Sequence, residues 1–120
     1  MSGMKIKRVY DAPDSGDGAR ILVDRLWPRG VSKAAAGIEL WLKDISPSDD
    51  LRKRFHGQAE SWDAFLQAYA DELNGPAAQA AVKTLREYMA AGPVTLIYAA
   101  KDEGKNNAAA LKAWLTGSQQ

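Results

Sequence analysis

Two short stretches of this chain hold the residue types that bind anions. The first is Asp24-Arg25-Leu26-Trp27-Pro28-Arg29-Gly30, and the second is Ala100-Lys101-Asp102-Glu103-Gly104-Lys105-Asn106-Asn107. Arg25 and Arg29 carry planar guanidinium forks that match a carboxylate or phosphate, and Lys101 adds a point charge. Trp27, between the arginines, offers a flat face to a base, a sugar or a cation. Asn106 or Asn107 stands where a last helix should open, and a helix N-terminus also favours negative charge. Each residue has a plainer use as well. Asp24-Arg25 at a strand end makes an ion pair or a cap, and Trp27 before Pro28 packs into a core. Lys101-Asp102 forms a solvated turn, and Asn106 or Asn107 caps its helix.

The only histidine, His56, is the one side chain that titrates near neutrality without perturbation. It follows Arg52, Lys53 and Arg54 at an expected helix end, where the dipole favours a protonated ring. Its chemical alternative is a catalytic general base reaching the anion site. Nothing in its spacing makes it a metal ligand. The chain has no cysteine, which removes disulfides, thiolate zinc sites, iron–sulfur clusters and cysteine nucleophiles together. No Gly-x-Gly-x-x-Gly, phosphate-loop Gly-Lys-Ser/Thr or Gly-x-Ser-x-Gly is present. Asp11, Asp14 and Asp17 lack the glutamate and spacing of a calcium loop. The residues therefore name no cofactor and leave enzymatic turnover open.

Elements that could position these groups follow from periodicity. Residues 5–10 read as a short strand, 11–18 as a loop rich in Asp, Gly and Pro, and 19–24 as a strand with the apolar run Ile21-Leu22-Val23. The short connection favours an antiparallel pairing of these two strands. Ile38, Trp41, Leu42 and Ile45 fall at i, i+3, i+4 and i+7, the stripe of an amphipathic helix. Leu51 and Phe55 share the face of another helix. Ser61 is an expected N-cap for a helix facing inward through Trp62, Phe65, Leu66, Tyr69 and Leu73. Gly75-Pro76 breaks it, with glycine as its C-cap and proline in the first turn of the next helix. That helix is striped by Ala78, Ala81, Val82, Leu85 and Met89. Residues 94–99 are apolar almost throughout, as a central strand requires, and a last helix covers about Asn107 to Leu115. Strands 19–24 and 94–99 are expected to lie parallel and adjacent through a right-handed crossover. The expectation is one α/β domain over 1–120, a small mainly parallel sheet of three to four strands flanked by four to five helices. Met1-Ser2-Gly3 reads as an appended stretch ahead of Met4.

Composition bounds the partners. At 46% apolar and 26% charged the chain is globular. No apolar run approaches the ~18 residues of a membrane helix, and no secretory pattern opens the chain, so a cytoplasmic protein without a membrane partner is expected. The net charge of +1 supplies no protein-wide field for nucleic acid. Residues 1–33 hold seven Lys/Arg against four Asp, so any anion site must be local.

Around Ile21-Leu22-Val23-Asp24-Arg25-Leu26-Trp27-Pro28-Arg29-Gly30 the chain resembles the family called domain of unknown function 488, in its short, YeaO-like branch. The likeness continues through Lys5 to Asp11, Leu51 to Gly57 and Ile97 to Asp102, and so covers nearly the whole chain. The resemblance implies a compact α/β fold and a bacterial-type cytosolic protein, with no established activity. Arg25, Trp27, Pro28, Arg29, Gly30, Arg52, Phe55, His56, Lys101 and Asn106 match the family pattern. One position departs: the pattern usually has Asn-His at the start of the last helix, and this chain has Asn106-Asn107. If that second position supplies a catalytic imidazole elsewhere in the family, this chain lacks it.

Three functions are then in view. The leading one is a phosphate-type anionic small molecule held by Arg25, Arg29, Lys101 and Asn106, with Trp27 stacking and His56 as proton carrier. A nucleic-acid module would use Lys5, Lys7, Arg8, Arg25 and Arg29 on phosphates, against which the near-zero charge argues. A protein-interaction domain would use Trp27, Pro28 and Trp41 as a contact surface, and the residues do not set an oligomeric state.

Overall fold

The computed structural model describes residues 4–56, 61–102 and 104–117. Four strands form one sheet: β1 (Met4–Arg8), β2 (Ala19–Leu22), β3 (Leu40–Trp41) and β4 (Val94–Tyr98), in the order β1-β4-β2-β3. Every neighbouring pair is parallel. The helices are α1 (Lys33–Ala36), α2 (Asp49–His56), α3 (Trp62–Leu73), α4 (Pro76–Ala91) and α5 (Asn107–Thr116).

β4 is buried along its whole length, as its apolar sequence requires of a strand with neighbours on both sides. Register places Leu96 between Ile6 and Ile21. Because side chains alternate across a strand, the sheet feeds two cores. Ile21, Val23, Leu96 and Tyr98 face a large cluster with Phe65, Tyr69, Leu73 and Leu85 of α3 and α4 and Leu111 of α5. Leu22 and Ile97 face a smaller cluster with Val9, Ala36 and Ile38.

The expected crossover between the second and last strands is present, with β2 and β4 adjacent and parallel. The expected antiparallel pairing of β1 and β2 is not. β4 lies between them and both run parallel to it. The connection, residues 9–18, is short for a crossover, but it returns past a strand of only five residues. Such a strand is about 17 Å long, and ten extended residues reach roughly 33 Å.

The helix expected over 38–45 is also absent. Gly37, at φ 63°, closes α1, and the Glu39 N–H then donates to the Arg20 carbonyl at 2.8 Å, starting the pairing of β3 with β2. A single 3₁₀ turn follows at Lys43–Ile45. Ile38 and Trp41 pack with the smaller cluster, whereas Leu42 and Ile45 pack with the larger one. A helical stripe would have faced one core, so here the spacing arises from a chain passing between two. At the α3–α4 break, Asn74 rather than Gly75 is the C-cap, and Gly75 precedes Pro76 as the N-cap of α4. Ser61 caps α3 as expected, accepting from the Ala64 N–H at 3.1 Å.

The return loop is fixed by Asp17, which is 1% exposed. Its carboxylate accepts from Lys7 Nζ at 3.1 Å, Arg20 Nη1 at 2.6 Å and Lys5 Nζ at 3.3 Å, and from the Asp14 N–H at 3.1 Å. Its carbonyl accepts from Thr95 Oγ1 at 2.7 Å. Burial alone would push this carboxyl up; the donors from Lys7, Arg20, Asp14 and Lys5 outweigh burial and hold it well below the usual carboxylate range. Gly18 follows at φ 66°, and a Cβ there would run into the Pro93 carbonyl oxygen.

Two outcomes are expected. Asp17→Asn should lower the unfolding free energy by ~3 kcal/mol, because it leaves the buried Arg20 guanidinium uncompensated, read from the urea midpoint. A depressed folded pKa contributes stability above the unfolded value that is lost as pH falls towards the folded one, so the variant should have the flatter profile below about pH 4. Gly18→Ala should cost roughly 2–4 kcal/mol through left-handed backbone strain and overlap with Pro93, measured in the same way.

Candidate functional site

At the C-terminal ends of β2 and β4 the chain diverges into two loops, and Asp24 ties them together. Asp24 Oδ2 accepts from the Ala99 N–H at 3.0 Å, and Oδ1 accepts from Asn107 Nδ2 at 3.0 Å. The same Asn107 nitrogen donates to the Val23 carbonyl at 3.0 Å, and Trp41 Nε1 donates to the Asp24 carbonyl at 2.7 Å. Burial pushes the Asp24 carboxyl up, against the pull of Asn107, the Ala99 N–H and the Arg52 charge. One side chain thus joins the tips of two strands to the start of α5.

The loop after β4 is shaped by Asp102, whose Oδ1 accepts from the Gly104 and Lys105 N–H groups, each at 2.9 Å. These two bonds hold the exposed Asp102 carboxyl below its ordinary value. Asn106 Nδ2 donates to the Asp102 carbonyl at 2.8 Å, and its Oδ1 caps α5 by accepting from the Ala109 N–H at 2.8 Å. Lys101 and Lys105 are left exposed.

The opposite wall comes from α2 and α3. Ser48 donates to Glu72 through its N–H at 2.8 Å and its hydroxyl at 2.6 Å, and its oxygen caps α2 at the Leu51 N–H, so α2 is docked onto α3. That docking brings Phe55, one helical turn after Arg52, against Phe65, the two rings lying 4.6 Å apart at 32°. Arg25 donates to the carbonyls of Ser46 at 3.3 Å and Pro47 at 3.4 Å. Arg25 and Arg52 flank Asp49 at 3.9 and 3.7 Å.

Between these walls lies a cavity of about 620 Å³, within the size range of small-molecule sites. Arg25, Arg52, Lys101 and Lys105 line it together with Asp24, Asp102, Asn106 and Asn107; Leu26, Trp27, Pro28, Pro47, Phe55 and Phe65 make its apolar part. Of the residues singled out in the sequence, Arg25, Trp27, Lys101 and Asn106 come together here. Arg29 does not line the cavity; it is exposed, and its carbonyl accepts from the Tyr10 hydroxyl at 3.3 Å. Trp27 is held as a wall, with Nε1 donating to the Val31 carbonyl at 2.7 Å and its ring edge-on to Trp41 at 5.4 Å. His56 closes α2, and its side chain lies outside the described residues. Anion-binding patterns do not single out Lys105, and helical periodicity marks Phe65 only as a core residue. The i, i+3 spacing of Arg52 and Phe55 is the signal that places both on one helix face.

Among the described residues no cluster of His, Asp and Glu is arranged to hold a metal ion, and no helix is long and apolar enough to cross a membrane. A family model described as the inactive DUF488-N3 subclade matches residues 3–120. The chain is 42% identical over 112 residues to the uncharacterised protein YeaO of Escherichia coli, covering 93% of this chain and 96% of that one. It is 38% identical over 114 residues to uncharacterised proteins of Mycobacterium bovis and Mycobacterium tuberculosis, covering 95% of this chain and 94% of each. No solved structure matches it.

Asn107→Ala tests the tie between the loops. It leaves the Val23 carbonyl and one Asp24 oxygen without their donor, and the expected loss is ~2 kcal/mol, read from the denaturant midpoint with the far-ultraviolet circular dichroism of the native state unchanged.

Proposed function

This chain belongs to the DUF488 family, and from that premise we propose that it binds an anionic small molecule in the cavity at the tips of β2 and β4 without turning it over. The observation that carries this reading is the pair Lys101 and Lys105. Both line the cavity, and neither ammonium is in a hydrogen bond or ion pair among the described residues. Cationic groups beside low-dielectric walls concentrate field on an anion that enters. Arg25 has a different role from the one its type suggested: it braces the wall by bonding to the Ser46 and Pro47 carbonyls.

Binding without turnover is favoured by what surrounds Asp24. A general base that is recharged through a relay needs a neighbour that exchanges protons. The Asp24 oxygens accept from a backbone N–H and from the residue at position 107, a carboxamide, and neither of these donors titrates. The subclade's description as inactive agrees with this. The net charge of +1 gives the nucleic-acid reading no support.

Thermal unfolding at low ionic strength, against a panel of carboxylates and phosphate esters, tests the proposal. A ligand at a hundred times its dissociation constant stabilises by about 2.7 kcal/mol, which for a domain of this size raises Tm by roughly 10 °C. The double variant Lys101→Glu/Lys105→Glu should lose that rise while keeping the unliganded Tm, and mass spectrometry should recover the ligand unchanged. A panel in which no anion shifts Tm contradicts the binding reading, and a consumed ligand contradicts its second half.

A further inference from the structure

Resting on that reading, we propose a ligand class for the cavity: an aryl monocarboxylate, a flat aromatic ring bearing one negative charge, in place of the phosphate-type ligand that arginines and a helix start suggest by themselves.

The first argument is donor supply. A phosphate is held by several backbone N–H groups converging at a loop and a helix N-terminus. Several of those groups are already taken here. The Gly104 and Lys105 N–H groups donate to Asp102, the Ala99 N–H to Asp24, and the Ala109 N–H to Asn106. The Arg25 guanidinium bonds to the Ser46 and Pro47 carbonyls.

The second argument is charge. Arg25 and Arg52 flank the exposed Asp49 at 3.9 and 3.7 Å, beyond hydrogen-bond distance. The buried Arg52 Nε has no hydrogen-bond partner among the described residues, so Arg52, Lys101 and Lys105 are the cations open to a ligand. The carboxylates of Asp24 and Asp102 line the same space. Arg25, Arg52, Lys101 and Lys105 set against Asp24, Asp49 and Asp102 leave one net positive charge, which a single negative charge on the ligand compensates.

The third argument is the apolar wall. Phe55 and Phe65 lie 4.6 Å apart at the cavity, and Phe65 is stacked on Trp62 at 5.5 Å and 19°. A ring set against such a face gains offset-stacked or edge contacts beyond its buried area. Leu26, 67% exposed at the rim, extends the apolar surface outward. At about 620 Å³ the space admits a fused bicyclic ring.

The test compares 2-naphthoate, its neutral analogue 2-naphthamide and inorganic phosphate, by NMR titration of the ¹⁵N-labelled full chain. 2-Naphthoate is expected to shift the amides of residues 99–107 and the ring protons of Phe55 and Phe65. It should bind roughly tenfold tighter than 2-naphthamide, the worth of a charge-assisted contact at a partly exposed site, and Lys101→Glu/Lys105→Glu should remove that preference. Phosphate binding as tightly as 2-naphthoate at the same loop overturns the aryl class and leaves anion binding standing. Equal binding of 2-naphthamide and 2-naphthoate, or no shift from any of the three probes, overturns both.

Discussion

The structure depends on the return of the chain from the end of β1 to the start of β2 past the position that β4 fills. Asp17 holds that return in place by contact with all three strands. Lys5 and Lys7 reach it from β1, Arg20 from β2 and Thr95 from β4. The carboxylate is out of solvent, where an isolated charge is prohibitive, and it persists because it faces cations from two strands. The same contacts leave a gap between β1 and β2 one strand wide. A long apolar segment from far along the sequence can then enter at the centre of the sheet, parallel to both neighbours.

Once β4 is central, the site follows from its position. Its C-terminal end and that of β2 emerge side by side, and in an open parallel sheet a crevice forms where such ends diverge. Asp24 keeps the two tips from separating further, through the Ala99 N–H and Asn107. Docking of α2 onto α3 by Ser48 and Glu72 closes the far side. Cationic side chains from the loop after β4 therefore stand opposite an aromatic wall from α2 and α3. Residues far apart in the chain thus meet over one cavity.

Much of this is legible in the amino-acid sequence, and the exceptions have physical causes. The run at 94–99 reads as a buried strand because no face of it is polar, and Ser61, Asn106 and Pro76 mark helix starts through chemistry local to each residue. The pairing of β1 is not local. It depends on β4, some ninety residues on, so a rule built on the length of one connection chose the wrong partner. The stretch 38–45 misleads for a related reason: helical spacing appears whenever a chain crosses from one core to another at the right intervals. At the site, Arg25 is recognisable as polar chemistry, but its commitment to the Ser46 and Pro47 carbonyls is set by the fold. Lys105 shows as a site residue only when Asp102 has turned its loop.

Two aspartates that flank β2, the buried Asp17 and the part-buried Asp24, explain how one scaffold supports both a rigid frame and an open cavity. Asp17 is surrounded by cations and held in its charged form, so it fixes geometry. Asp24 lies where burial disfavours its charge, and it is steadied mainly by neutral donors, an amide side chain and a backbone N–H. The residue at 107 decides what that second carboxylate can do. A carboxamide brings two hydrogens on one nitrogen and satisfies the Val23 carbonyl and Asp24 together. An imidazole nitrogen carries one hydrogen, so it would leave one of those acceptors unmet while turning a second, titratable nitrogen elsewhere. Asparagine therefore makes the tighter tie between strand tip and helix start, and the same bonds leave the carboxylate without a proton-exchanging partner. A cavity built in this way keeps its shape and its field.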